Sequence, residues 1–144
     1  KSKIIKKYLP LINQQVNRYL QMMDFYINFT LDEEFNETVQ SAIHEDFSYA
    51  SFSEGEKQRI DLALLFTWRE VAKFKNSVAT NLMILDEVFD SSLDGQGTEE
   101  FLKIIRFVVK DANIFVISHK SGMDDRFEDV IRFEKIKGFS RMVK

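Results

Sequence analysis

Two short apolar runs, separated by one helix-length stretch, restrict this chain more than any other feature of it. Leu82-Met83-Ile84-Leu85 and Ile114-Phe115-Val116-Ile117 predict strands over residues 81–85 and 113–117. Each is wholly apolar and too short for a helix, the pattern of strands buried on both faces in a parallel sheet. Between them, residues 97–110 place Phe101, Leu102, Ile104, Ile105 and Val108 at helical spacing. Strand, helix, strand with short links is a βαβ unit, so the expected fold class is α/β with a parallel-sheet core. The first strand is closed by Asp86-Glu87 and the second by Ser118-His119. Polar residues at the carboxyl ends of such strands fall where open α/β sheets place their ligand crevice.

The flanks read in the same way. Ile5, Leu9, Ile12, Val16, Leu20 and Met23 recur at steps of three and four, which predicts an amphipathic helix over residues 2–24 that Pro10 would kink or locally break. Phe25, Ile27, Phe29 and Leu31 alternate, as do residues beyond the acidic turn Asp32-Glu33-Glu34, so two strands are expected over residues 25–43. Apolar residues nearly encircle a helix over residues 57–75, which should therefore be deeply buried. Strands over 130–133 and 139–143 are expected to form a hairpin turned at Lys137-Gly138.

With 144 residues, 44% of them hydrophobic and 14 of them Phe, the chain is one domain's worth and too apolar for disorder. The absence of cysteine excludes disulfides and thiolate metal sites and is compatible with an intracellular protein. Two histidines and scattered acids give no zinc constellation, and no apolar stretch approaches the ~20 residues of a membrane span. The chain opens on Lys1 rather than Met, as a fragment of a longer protein would. Its net charge of -3 is unevenly spread: residues 1–23 carry five Lys and Arg and no acid, and residues 24–56 carry nine acids and no Lys or Arg. The basic ends, Lys3, Lys6, Lys7 and Arg18 near the first and Arg132, Lys135, Lys137 and Arg141 near the last, are either solvated faces or a surface for a phosphate backbone.

Ser53-Glu54-Gly55-Glu56 precedes the second helix. A Ser with Glu three residues on is a capping box. A hydroxyl, a Gly and unpaired N–H groups at a helix start also form an anion site. Both readings hold together. Ser91-Ser92-Leu93-Asp94 is by itself a turn with an Asp cap.

In their order along the chain, Ser51-Phe52-Ser53-Glu54-Gly55-Glu56, Leu82 to Glu87, Ser91 to Asp94 and Ser118-His119 resemble the C-terminal half of an ABC-type ATPase head. They are most similar to SMC-like DNA double-strand-break repair ATPases of the SbcC type, a family that includes the phage recombination-nuclease ATPase subunit. Phe52 and Glu54 depart from the usual Leu-Ser-Gly-Gly-Glu signature. No phosphate-binding loop occurs among the five glycines.

The resemblance implies a helix over 1–24 that ends a coiled-coil arm and a C-terminal head lobe over 25–144. It implies ATP and Mg²⁺ as cofactors: Asp86 holds Mg²⁺ through water, Glu87 polarises the attacking water, and His119 contacts the γ-phosphate or that water. Ser53, Gly55 and Glu56 receive the γ-phosphate of the opposing head, and Ser91, Ser92 and Asp94 form a D-loop at the dimer interface. The implied partners are an N-terminal half bearing the Walker A loop, a second copy of the head, a DNA nuclease subunit and double-stranded DNA, with no membrane, in the cytoplasm (the host's, for a phage protein). The alternatives are a chromosome-structural SMC head with a kleisin-type partner, or a regulatory domain that keeps the motifs without turnover.

Overall fold

The computed structural model describes residues 2–41, 49–75, 81–88, 90, 95–108 and 112–143. Helix α1, Ser2–Met22, runs through Pro10 and buries Ile12, Val16 and Leu20 of the predicted stripe, together with Tyr19 beside it. It stops at a left-handed residue, Asp24 (φ 51°). Phe25 N–H donates to Leu20 O at 2.9 Å and Asp24 N–H to Gln21 O at 3.0 Å, the paired bonds of a Schellman cap. Phe25 thereby turns into the core beside Leu20.

The chain then forms the antiparallel pair β1 (Ile27–Leu31) and β2 (Glu37–Ser41). Asp32 organises the turn between them, accepting the N–H groups of Glu34 and Asn36 at 2.8 and 2.9 Å and the Asn36 side-chain amide at 2.9 Å. The other edge of β1 is paired with side chains rather than with a strand. Asn17 donates to Phe29 O at 2.6 Å and accepts Phe29 N–H at 2.8 Å, and Asn13 does the same for Leu31 at 3.0 and 2.8 Å. Both backbone groups of two strand residues are thus satisfied by α1, which removes the cost of leaving them unpaired under a helix.

Helix α2, Glu54–Lys75, crosses α1, with Tyr19 and Phe66 ring centroids 5.7 Å apart. Helix α3, Gly95–Val108, adds Phe101 at 5.9 Å from Phe66. The core lies among these three helices and β1, with Phe29, Ile60, Phe66, Phe101 and Ile104 fully enclosed. The expected deep burial of α2 holds on one face, with Ile60, Ala63, Phe66 and Val71 buried, and is corrected on the other: Leu65, Trp68 and Phe74 are exposed, and Trp68 stacks obliquely on Phe35 at 6.0 Å.

The predicted βαβ unit is present. Strands β3 (Leu82–Asp86) and β4 (Asn113–Ile117) pair in parallel with Ile84 opposite Phe115 and Asp86 opposite Ile117. They are not buried on both faces, which corrects the second expectation. Met83, Leu85, Ile114 and Val116 pack on the core, whereas Leu82, Ile84, Phe115 and Ile117 are 46–59% exposed on the other face. The chain closes with β5 (Arg132–Ile136) and β6 (Phe139–Val143), turned at Lys137 (φ 51°) and Gly138 (φ 85°) as a type I′ turn requires. Phe133, Phe139 and Met142 lie exposed on this hairpin. No helix of the described residues is long and apolar enough to cross a membrane.

Candidate functional site: the strand ends and the start of helix α2

At the start of α2 the capping box closes as the sequence predicts. Ser53 N–H donates to Glu56 Oε2 at 2.8 Å, Ser53 Oγ donates to the same oxygen at 2.8 Å, and Glu56 N–H returns a longer bond to Ser53 Oγ at 3.4 Å. Ser53 is exposed, and Phe52 before it is buried edge-on against Phe25 at 5.6 Å. This anchors the segment while leaving the hydroxyl at the surface. Glu54, the acid in place of the usual Gly, pairs with Lys57 at 2.8 Å. That cation offsets part of the negative charge Glu54 brings to the positive end of the helix.

The second cluster forms at the carboxyl ends of β3 and β4. Asp86 closes β3 on its exposed face, in line with Ile84. Glu87 takes a left-handed conformation (φ 53°), donating its N–H to Ile117 O at 2.8 Å and accepting Asp90 N–H at 3.1 Å. The resulting turn aims its carboxylate across the sheet, where Oε1 lies 3.3 Å from His119 Nε2. The two residues expected to carry chemistry are therefore adjacent in space and open to solvent.

Two further residues hold this turn. Asp90 accepts the Ser118 hydroxyl at one oxygen and His119 N–H, at 2.7 Å, at the other. Ser118 Oγ in turn accepts Lys120 N–H at 3.1 Å. The Ser118 bond, then the His119 amide, hold the Asp90 carboxyl below the ordinary Asp value, because both donors favour the charged form. Gln58, one turn into α2, donates its side-chain amide to Val88 O, which ties the start of α2 to the Glu87–Asp90 turn. Neither residue stands out in the sequence. Asp90 is one acid between two motifs and Gln58 one polar residue on a helix, so only the turn at Glu87 gives them their partners. Elsewhere between these helices, the buried Glu100 of α3 lies 3.4 Å from Arg59 of α2.

Ser91, Ser92 and Asp94, expected to form a D-loop, lie outside the described residues. Among the basic residues considered for DNA, Lys6 pairs with Glu33 and Arg132 with Asp124. Lys7, Arg18, Lys135, Lys137 and Arg141 are exposed. Lys3 falls within α1, but its side chain lies outside the described residues.

Among the described residues no group of three or more acids and histidines could cage a metal. A strongly hydrated cation such as Mg²⁺ needs no such cage, since it keeps several waters and takes one or two carboxylates. Asp86, exposed at the strand end, offers such a carboxylate.

No family model matches the chain. It is 51% identical over 143 residues to exonuclease subunit 2 of Enterobacteria phage T4 and 46% identical over 142 residues to exonuclease subunit 2 of Escherichia phage RB69. Each alignment takes in 99% of the chain, which spans 25% of the length of each relative. Among solved structures, the SMC head domain from Thermotoga maritima superposes with a TM-score of 0.68 at 23% identity, covering 99% of this chain and 51% of that one. A structure from work on ATP-driven dimerisation and DNA-stimulated activation of SMC ATPases gives 0.78 at 19% identity, covering 99% and 88%. At these identities the structural likeness is one of fold.

Proposed function

We propose, for a chain that is a relative of phage exonuclease subunit 2 and carries the fold of an SMC head, that it is the C-terminal half of a DNA-repair ATPase head. Completed by a half with the phosphate-binding loop, it dimerises with a second copy on ATP, hydrolyses the nucleotide and regulates a partner DNA nuclease. The observation that carries this reading is the Glu87–His119 pair, 3.3 Å apart beside Asp86 at the ends of two parallel strands.

In this reading Glu87 takes a proton from the attacking water, the work of a positioned general base. His119, held against Glu87, orients that water or hydrogen-bonds a γ-phosphate oxygen. Asp86 would hold Mg²⁺ through water, and the bound ion would offset charge on the phosphate oxygens. On the facing head, the Ser53 hydroxyl turns from Glu56 to the γ-phosphate, with Gly55 and Glu56 at the positive end of α2. Ser91, Ser92 and Asp94 border the same interface.

The open sheet face supports the need for a completing half. Leu82, Ile84, Phe115 and Ile117 are about half exposed, and full burial of such a side chain contributes about 1.5–3 kcal/mol. Duplex DNA would bind without sequence preference through Lys3, Lys7, Arg18, Lys135, Lys137 and Arg141, joined by Lys6 and Arg132 where their ion pairs open. A chromosome-structural SMC head with a kleisin-type partner shares the fold, but the 51% identity to an exonuclease subunit favours the nuclease as partner. A phage protein of this kind would act in the host cytoplasm.

The test is reconstitution. The isolated chain is expected to show no ATP turnover, and addition of the half with the phosphate-binding loop should give Mg²⁺-dependent hydrolysis. Micromolar ATP binding by the isolated chain, or an assembled head that binds ATP without turnover, overturns the reading.

A further inference from the structure

We infer that Asp90 is the positioning residue of this site: its carboxylate clamps Ser118 and His119 so that the imidazole stands against Glu87. The inference rests on the ATPase reading above. The His119 side chain is 80% exposed and that of Glu87 62%, so little packing fixes either of them. What orders the imidazole is its own backbone, and that backbone is held by one carboxylate. Asp90 accepts the Ser118 hydroxyl at Oδ1 and the His119 N–H at Oδ2, the latter at 2.7 Å. With the Ser118 proton committed to Asp90, its oxygen is left to accept Lys120 N–H at 3.1 Å. Three consecutive residues are therefore ordered from a single group.

The clamp has a fixed base. Glu87 N–H donates to Ile117 O at 2.8 Å and Glu87 O accepts Asp90 N–H at 3.1 Å, so the turn that bears the clamp also bears the proposed general base. Gln58 holds the turn from the side of α2 through Val88 O. Both Asp90 oxygens act only as acceptors, which suits two donors at once. Alanine removes the clamp, whereas asparagine keeps its shape and can accept from His119 while donating to Ser118.

The experiment is a mutant cycle in the full-length protein, measuring ATP turnover, nucleotide affinity and melting temperature. Asp90→Ala is expected to lower kcat on the order of 10- to 100-fold, the effect of a displaced catalytic group, with ATP affinity and melting temperature retained. Asp90→Asn should recover most of that loss. Asp90→Ala should cost far less in a His119→Ala background, because the group it positions is already gone. Ser118→Ala, which removes one arm of the clamp and leaves the acid, should give a smaller loss of the same kind and serves if the alanine variant at 90 does not fold. Unchanged kcat in Asp90→Ala, a cost that adds in full to that of His119→Ala, or an equal loss of nucleotide affinity overturns the inference. Glu87→Gln separates the two levels. If it abolishes turnover while Asp90→Ala does not, the clamp alone fails; if it leaves turnover unchanged, the assignment of the base fails first.

Discussion

Glu87 Oε1 and His119 Nε2 stand 3.3 Å apart at the ends of neighbouring parallel strands, brought together by the left-handed turn at Glu87. In the assembled head Glu87→Gln should lower hydrolysis by roughly 10²–10⁴, the usual effect of losing a general base. ATP binding and ATP-dependent dimerisation should remain. His119→Ala should reduce kcat more than nucleotide affinity, and Asp86→Ala should instead weaken binding of the Mg²⁺ nucleotide. Steady-state kinetics with equilibrium binding distinguishes the three; near-normal turnover in Glu87→Gln would remove the base.

Ser53 has two separable roles. As an N-cap, its replacement by alanine should cost about 0.5–2 kcal/mol of stability, read from denaturant midpoints. As a phosphate ligand in trans, Ser53→Arg should fill the space before α2 and stop ATP-induced dimerisation in light scattering. A variant that still dimerises on ATP would leave Ser53 as a helix cap only.

The exposed face of β3 and β4 makes a prediction about assembly. Phe115→Asp places a charge among Ile84, Leu82 and Ile117 on a surface the isolated chain leaves open. The isolated domain should tolerate it within about 0.5 kcal/mol, as surface substitutions usually are. Association with the completing half should weaken greatly, because an unpaired carboxylate would then be buried. Co-purification and calorimetric titration measure it, and unimpaired association would place that half elsewhere.

Asp32 supplies a pH dependence with a definite sign. The Asn36 side chain, then its backbone N–H, hold the Asp32 carboxyl below its ordinary value of 3.8. A carboxyl lowered in the folded state stabilises most above its unfolded value, and that contribution fades as the pH falls through the lowered one. Wild type should exceed Asp32→Ala in stability by a constant margin from pH 5 to 7, and the margin should shrink below about pH 4. A margin independent of pH down to acid unfolding would mean that the turn depends on the side chain's shape rather than its charge.

What the sequence showed, and what it hid, follows from the range of the forces involved. The pairing of β3 with β4, the stripe on α1 and the Lys137-Gly138 turn were legible because periodicity and local φ preferences act over a few residues. The open face of the sheet was not. An apolar strand is written for the surroundings it finally meets, so Ile84 and Phe115 read as buried although nothing among the described residues covers them. The Asp90 clamp escaped for another reason: its partners are Ser118 and His119, and only the reversal at Glu87 brings them within reach. Asn13 and Asn17 did leave a trace, two amides four residues apart beside the apolar stripe of α1, but their ligand is the backbone of another element.

Those two asparagines determine how α1 can move. Four residues of helix advance about 6 Å, and two residues of strand advance about 6.8 Å. The two rulers nearly coincide, so Asn13 and Asn17 engage Leu31 and Phe29 together, with the helix and strand running in opposite directions. At any intermediate displacement both amides lose their partners at once, and the next matching position lies a full step away. A pull or twist applied along α1 is therefore not taken up by gradual slippage at its foot. It reaches β1 through a helix bolted at two points, and from there the same core that carries α2 and its exposed Ser53.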